Sequence, residues 1–121
     1  MRAEYLVLSG HKIFVRYRMS EKIKPTVLFL HGIGESGRCF FDSIDYLHDY
    51  NIIIPDLFGF GKSEKVIVEP DYSFSYQLKL LWELIRLLDL DNVVLVGHSY
   101  GGILGTLMCR HDSDKKISKF V

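Results

Sequence analysis

Apolar and polar positions follow two rhythms along this 121-residue chain. Near the N-terminus Ile13, Val15 and Tyr17 alternate with Phe14, Arg16 and Arg18, the period-2 signature of a half-buried strand. That run, Lys12 to Arg18, and an earlier one, Tyr5 to Ser9, flank Gly10-His11 and predict an antiparallel hairpin. From Thr26 the alternation gives way to unbroken apolar runs. Val27-Leu28-Phe29-Leu30, Ile52-Ile53-Ile54, Val93 to Val96 and Ile117 to Val121 predict strands buried on both faces.

Helical patterns separate these runs. A modest helix is predicted from about Arg38 to His48. The strongest spans Tyr72 to Leu90, where Phe74, Leu78, Leu81, Ile85 and Leu88 keep a 4-3-4-3 spacing and Ser73 is placed to cap the start. Leu80, Leu84 and Leu87 widen its stripe, which predicts cover on two sides. Ile103 to Cys109 is nearly all apolar and predicts a central buried helix, with Gly102 and Gly105 allowing close approach to a neighbour. Strands alternating with helices imply right-handed crossovers and a largely parallel sheet covered on both faces, hence an α/β architecture. No linker, repeat or low-complexity tract divides the chain, so residues 1–121 read as one domain.

Composition narrows the function classes. A 48% hydrophobic, 25% charged chain is globular, and fifteen basic residues balance fifteen acidic ones. Zero net charge gives no reason to expect nucleic acid or an anionic membrane as partner. No run approaches the roughly 20 apolar residues of a membrane span. Glu4 interrupts the start where a signal peptide would begin its apolar stretch. Cys39 and Cys109 are too few for a disulfide scaffold and have no zinc-ligand spacing, so both are expected as buried free thiols and no metal is implied. A cytoplasmic protein follows as the expectation. His11 and His48 read as surface residues, and Glu64-Lys65 and Lys115-Lys116 as solvated loop charges.

The chemistry gathers in three glycine-rich segments. Gly97-His98-Ser99-Tyr100-Gly101 matches G-x-S-x-G between a strand and an apolar helix, the setting of a nucleophile elbow. Such a turn holds the serine oxygen outward in a strained backbone, and only small residues fit around it, hence Gly97 and Gly101. His31-Gly32-Ile33-Gly34 also ends a buried strand, so in a parallel sheet both loops open on one edge. Acyl transfer needs two N–H donors aimed at a developing oxyanion. The amides of Tyr100 and Ile33 are the candidates. Asp56-Leu57-Phe58-Gly59-Phe60-Gly61-Lys62-Ser63 lacks the spacing and following helix of a phosphate loop, and reads as a structural turn held by Asp56 and Ser63.

Taken in order, His31 to Gly34, Pro55 to Ser63 and Gly97 to Gly102 resemble the α/β-hydrolase family over nearly the whole chain. The resemblance implies a mostly parallel twisted sheet, with helices on both faces and an N-terminal antiparallel hairpin, in the strand order first, second, fourth, third, fifth, sixth. It implies Ser99 as nucleophile, the Ile33 and Tyr100 amides as oxyanion hole, and His31, Gly32, Gly34, Asp56, Gly59, Gly61, Ser63, Gly97, His98 and Gly101 as the supporting motif. Serine at the elbow, in place of aspartate, argues against the epoxide-hydrolase and haloalkane-dehalogenase branches. Hydrolysis of a small-molecule ester or thioester, with no cofactor, is the implied activity.

The family order is serine, then acid, then histidine. Residues after Ser99 include His111, Asp112 and Asp114, but about ten helical residues carry the chain roughly 15 Å from the serine. They are expected at the opposite sheet edge. In relatives the histidine matching His31 supports its loop, and His98 is expected to turn away from the site. The expectation is therefore a domain incomplete at its C-terminal strands, without its acid and base, whose run Ile117 to Val121 leaves an open edge that promotes association. A non-catalytic ligand-binding remnant and an acyltransferase are the alternatives.

Overall fold

The computed structural model describes residues 1–68 and 71–121. Six strands form one sheet: β1 Arg2–Leu8, β2 His11–Arg18, β3 Thr26–Leu30, β4 Asn51–Pro55, β5 Val93–Gly97 and β6 Ile117–Phe120. Their order across the sheet is β1-β2-β4-β3-β5-β6, the order the resemblance implied. The hairpin β1–β2 and the β2–β4 pair are antiparallel; β4, β3, β5 and β6 run parallel.

Side-chain alternation explains the unbroken apolar runs. In β3, Leu28 and Leu30 face one core with Ile53 of β4 and Val93 and Leu95 of β5. Val27 and Phe29 face the other, with Ile52 and Ile54. Both faces are thus buried, and every residue of β3 and β4 is buried with them. Fully burying each such side chain contributes about 1.5–3 kcal/mol. The larger core lies under α2, Phe74–Leu87, and α3, Tyr100–Arg110. Phe40 and Ile44 cover the smaller core.

Four expectations need correcting. The helix predicted from Arg38 to His48 is only a 3-10 turn, Gly37–Phe40, followed by α1, Phe41–Ile44. Beyond Ile44 the backbone closes successive three-residue turns, Tyr46 N–H donating to Ser43 O, Leu47 N–H to Ile44 O and Tyr50 N–H to Leu47 O, so the chain turns toward β4 instead of prolonging the helix. Helix α2 starts where expected, the Ser73 hydroxyl accepting from Tyr76 N at 3.2 Å. It is buried on one side only: Leu80, Leu81, Leu84 and Ile85 are buried, whereas Phe74 and Leu87 stay exposed. Helix α3 likewise buries Leu104 and Met108 but exposes Ile103. Among the described residues no helix is long and apolar enough to cross a membrane. Strand β6, expected to be buried on both faces, instead lies at the sheet edge with Ser118, Lys119 and Phe120 exposed, because it pairs with β5 on one side only.

Helix α3 sits unusually close to the sheet. A Cβ at Gly101 would overlap the carbonyl of Leu30 and come within 2.8 Å of the His31 oxygen. One at Gly97 would lie 2.5 Å from the Gly101 oxygen. Gly102, one residue on, has ordinary space, its nearest neighbour 3.5 Å away. Gly101→Ala is therefore expected to cost about 1–3 kcal/mol by overpacking. Gly102→Ala is expected to be neutral or to gain up to about 1 kcal/mol through helix propensity. Urea unfolding of the two variants checks the contrast; equal effects would contradict it.

Candidate active site

The β3–β5 register ends with Leu30 opposite Gly97, so both strands discharge their loops at one edge. The ladder runs one step further, His98 N–H donating to Leu30 O at 3.0 Å. Ser99 follows with φ 55° and ψ −113°, a conformation that costs about 1–3 kcal/mol for a residue with a side chain. Ser99 stands at the N-terminus of α3, yet its hydroxyl caps nothing there. Among the described residues no hydrogen bond engages its oxygen, and the residue is exposed. The backbone thus bends as the glycine pattern required.

The His31–Gly34 segment reaches the same place. Glu35 N–H donates to Gly32 O at 3.2 Å, closing a tight turn over Ile33 and Gly34. Gly34 has φ 76°, which a glycine adopts without steric cost. A Cβ at Gly32 would lie 3.4 Å from both Ser99 Cβ and His98 O. The turn therefore lies against the serine. Among the described residues neither Ile33 N–H nor Tyr100 N–H donates within the chain. Tyr100 opens an 11-residue helix, whose N-terminal amides carry partial positive charge.

His31 is fully buried. Its Nε2 accepts from Leu57 N–H at 2.9 Å and its Nδ1 lies 2.7 Å from Gly32 O. That pairing fixes the neutral tautomer with the proton on Nδ1. Burial pushes its pKa below the ordinary 6.5. With both nitrogens committed, His31 braces the turn and has no free nitrogen for Ser99.

The Asp56–Ser63 turn seats on a buried carboxylate. Asp56 Oδ1 accepts from Arg16 Nη1 at 2.6 Å and from Gly37 N at 2.7 Å; Oδ2 accepts from Lys62 N at 2.9 Å. Ser63 Oγ donates to Asp56 O and accepts from Phe14 N at 2.9 Å. Gly61 lies against the same carboxylate, and Gly59 packs on the Tyr72 ring. Burial alone would raise the Asp56 pKa, but Arg16 and the two backbone donors outweigh it and hold the carboxyl below 3.8.

Several residues fall elsewhere than expected. Arg16, placed by alternation on a solvent face, is buried against Asp56 with its guanidinium over the Phe14 ring. His11 is a packed bridge, 2.7 Å from Tyr76 Oη and 3.5 Å from Glu64, so neither it nor Glu64 is simply solvated. Cys39 and Cys109 are exposed: one faces Glu35, the other lies on the outer side of α3. His111 and Asp114 lie past the far end of α3, away from Ser99, as helix length required. His98 is exposed beside Ser99, its Nδ1 3.4 Å from Glu35 Oε1. Sequence reasoning passed over Glu35, whose only signal was a carboxylate immediately after a glycine-rich turn.

A strained serine turn and a glycine turn meet at one edge of this sheet. The α/β hydrolase fold profile matches residues 25–121, and the chain belongs to that family. It is 37% identical over 93 residues to epoxide hydrolase 3 of Xenopus tropicalis, covering 75% of this chain and 25% of the frog protein. An epoxide hydrolase from Vigna radiata superposes with TM-score 0.86 and 28% identity, covering 98% of this chain and 38% of that one. The haloalkane dehalogenase DpaA of Paraglaciecola agarilytica NO2 gives TM-score 0.88 and 30% identity, covering 98% and 42%. The chain thus spans less than half the length of each of these relatives.

Two expected outcomes follow. Asp56→Asn should cost about 3–5 kcal/mol, because it leaves Arg16 buried without its counter-charge. Urea unfolding at neutral pH reads this, and a loss below about 1 kcal/mol would contradict it. Acid should also weaken the fold in two stages. Both folded pKa values lie below the unfolded ones, so each group stabilises fully above its unfolded value and loses that contribution as pH falls through the folded one. His31 acts below 6.5 and Asp56 below 3.8. His31→Gln should remove the upper stage, which urea midpoints measured across the pH range would show.

Proposed function

We propose that this chain carries the nucleophile and oxyanion-binding part of a serine hydrolase acting on an acyl carbon of a small ester or thioester. The single supporting observation is Ser99: a strained, exposed serine with an unengaged hydroxyl, packed against a second loop at the same sheet edge. In this reading Ser99 Oγ attacks the acyl carbon, and the oxyanion that forms accepts hydrogen bonds from Ile33 N–H and Tyr100 N–H. Such donors act without reorganising during the reaction and each is worth about 3–4 kcal/mol.

Serine in place of a carboxylate selects the reacting carbon. A serine oxygen that displaces a leaving group at a saturated carbon becomes an ether, which water does not readily cleave. At an acyl carbon it becomes an ester, which water does cleave. The epoxide and haloalkane activities named for the relatives are therefore not carried over to this chain.

Serine at its ordinary pKa also needs a base. Among the described residues no imidazole hydrogen-bonds Ser99: His31 is committed, His111 is at the far edge, and His98 faces Glu35. The expected outcome for these 121 residues is at most weak turnover of p-nitrophenyl acetate. Added 2,6-lutidine, a hindered base that accepts the proton without itself taking the acetyl group, should promote acetylation of the peptide containing Ser99, read by mass spectrometry. Ser99→Ala should abolish that modification. Acetyl groups spread over lysines with Ser99 unmodified would overturn the proposal.

A further inference from the structure

The two amide donors proposed for the oxyanion stand on different loops, which meet by backbone at Leu30, His31 and Gly32, at the base of the turn that carries Ile33. The Gly32–Glu35 turn is held by one internal hydrogen bond, Ile33 at its tip is 68% exposed, and nothing lies within 4 Å of a Cβ placed at Gly34. The contact shown with Ser99 is at Gly32, the first residue of the turn. The residue that ends the turn, Glu35, sends its carboxylate back across the gap. Glu35 Oε1 lies 3.4 Å from Nδ1 of His98, the residue before the nucleophile, and 3.4 Å from the position a Gly32 Cβ would take.

The carboxylate is set for this role from its other side. Desolvation of the sulfur, then the Glu35 hydrogen bond and charge, push the Cys39 thiol up to about 11. The thiol therefore stays protonated at neutral pH beside the Glu35 carboxylate. The Cys39 hydrogen bond first, and His98 with it, hold Glu35 ionised below the ordinary carboxylate range. His98 in turn is fixed by its own backbone, donating to Leu30 O and accepting from Gly101 N–H.

We propose that Glu35 and His98 are positioning residues, a side-chain bridge that fixes the Ile33 amide relative to the Tyr100 amide. The inference rests on the acyl-carbon reading above. Neither residue touches the reacting atoms in this role; each acts through the spacing of the donors.

The experiment supplies a nucleophile that ionises without a neighbouring base. In the Ser99→Cys variant the introduced thiol can be acetylated by p-nitrophenyl acetate, which builds an oxyanion, or alkylated by iodoacetamide, which does not. Peptide-resolved mass spectrometry gives both rates at position 99 and at Cys109, an exposed thiol on the outer side of α3. The acetylation-to-alkylation ratio at position 99 should exceed that at Cys109 by at least about tenfold, equivalent to about 1.4 kcal/mol of oxyanion stabilisation. Adding Glu35→Ala or His98→Ala should lower that ratio about fivefold or more, without changing the alkylation rate or the thermal midpoint. Glu35→Gln, which keeps a side-chain oxygen facing His98, should restore most of it. The double variant should be no worse than either single one, because both break the same bridge.

A position-99 ratio no higher than that of Cys109 overturns the acyl-carbon reading, and the bridge with it. A raised ratio that both alanine variants leave intact overturns the bridge alone. So does a double variant whose losses multiply. If Glu35→Ala fails to fold, His98→Ala and Glu35→Gln decide the outcome.

Discussion

No side chain fits between Gly101 and the carbonyls of Leu30 and His31, and the geometry of this edge follows from that contact. Helix α3 can approach the exit of β3 only because Gly101 has no Cβ, and it can leave β5 so abruptly only because Gly97 has none. The turn joining them has two residues to reverse direction, His98 and Ser99, and the strain falls on Ser99. A relaxed Ser99 would let the helix start further out, and Gly32 would no longer rest against it. Close packing, backbone strain and the meeting of the two loops are one constraint seen from three sides.

A second anchor operates where the hairpin meets the parallel strands. Asp56 leaves β4 buried, and burying a carboxylate is unfavourable unless charge and hydrogen bonds compensate. Arg16 supplies the charge from β2, while Gly37 and Lys62 supply backbone donors from the segments on either side. Three segments, two of them distant in sequence from Asp56, are fixed to one side chain. Leu57, the next residue, then donates to His31 and extends that fixation to the turn carrying Ile33. The Asp56 cluster is thus upstream of the site although it touches no part of it.

The elements were legible in the sequence wherever one cause dominated. Unbroken runs such as Val27 to Leu30 could be nothing but doubly buried strands once helices alternated with them. Strand order was not legible from the runs themselves, since nothing in Ile52-Ile53-Ile54 names its neighbours; it came with the family motifs. Arg16 was misread because alternation reports which face a residue occupies, and an acidic partner forty residues away can bury a charged face. The helix after Gly37 was overextended because its apolar spacing persists to Leu47, while the backbone beyond Ile44 closes tight three-residue turns that spacing does not distinguish from a helix. Both thiols were misjudged because cysteine is commonly buried, and local pattern does not reveal which side of a turn it takes. Ser99 and its glycines were legible because strain, close approach and exposure all demand the same few residues.

The division within the site is also a division of physical tasks. Holding donors still and holding an oxygen outward are tasks of backbone geometry, so they are written into glycines, a register and a helix N-terminus, all of which lie close together in this chain. Accepting a proton is a task of titration, which needs a group whose protonation can change without disturbing its surroundings. His31 cannot do this, because protonating Nε2 would break its bond to Leu57 and loosen the turn it supports. The same burial that makes His31 a good brace depresses its basicity. The edge proposed to bind the oxyanion therefore excludes its own nearest imidazole from acting as base, and the proposed chemistry at Ser99 requires a proton acceptor that the edge itself does not depend on.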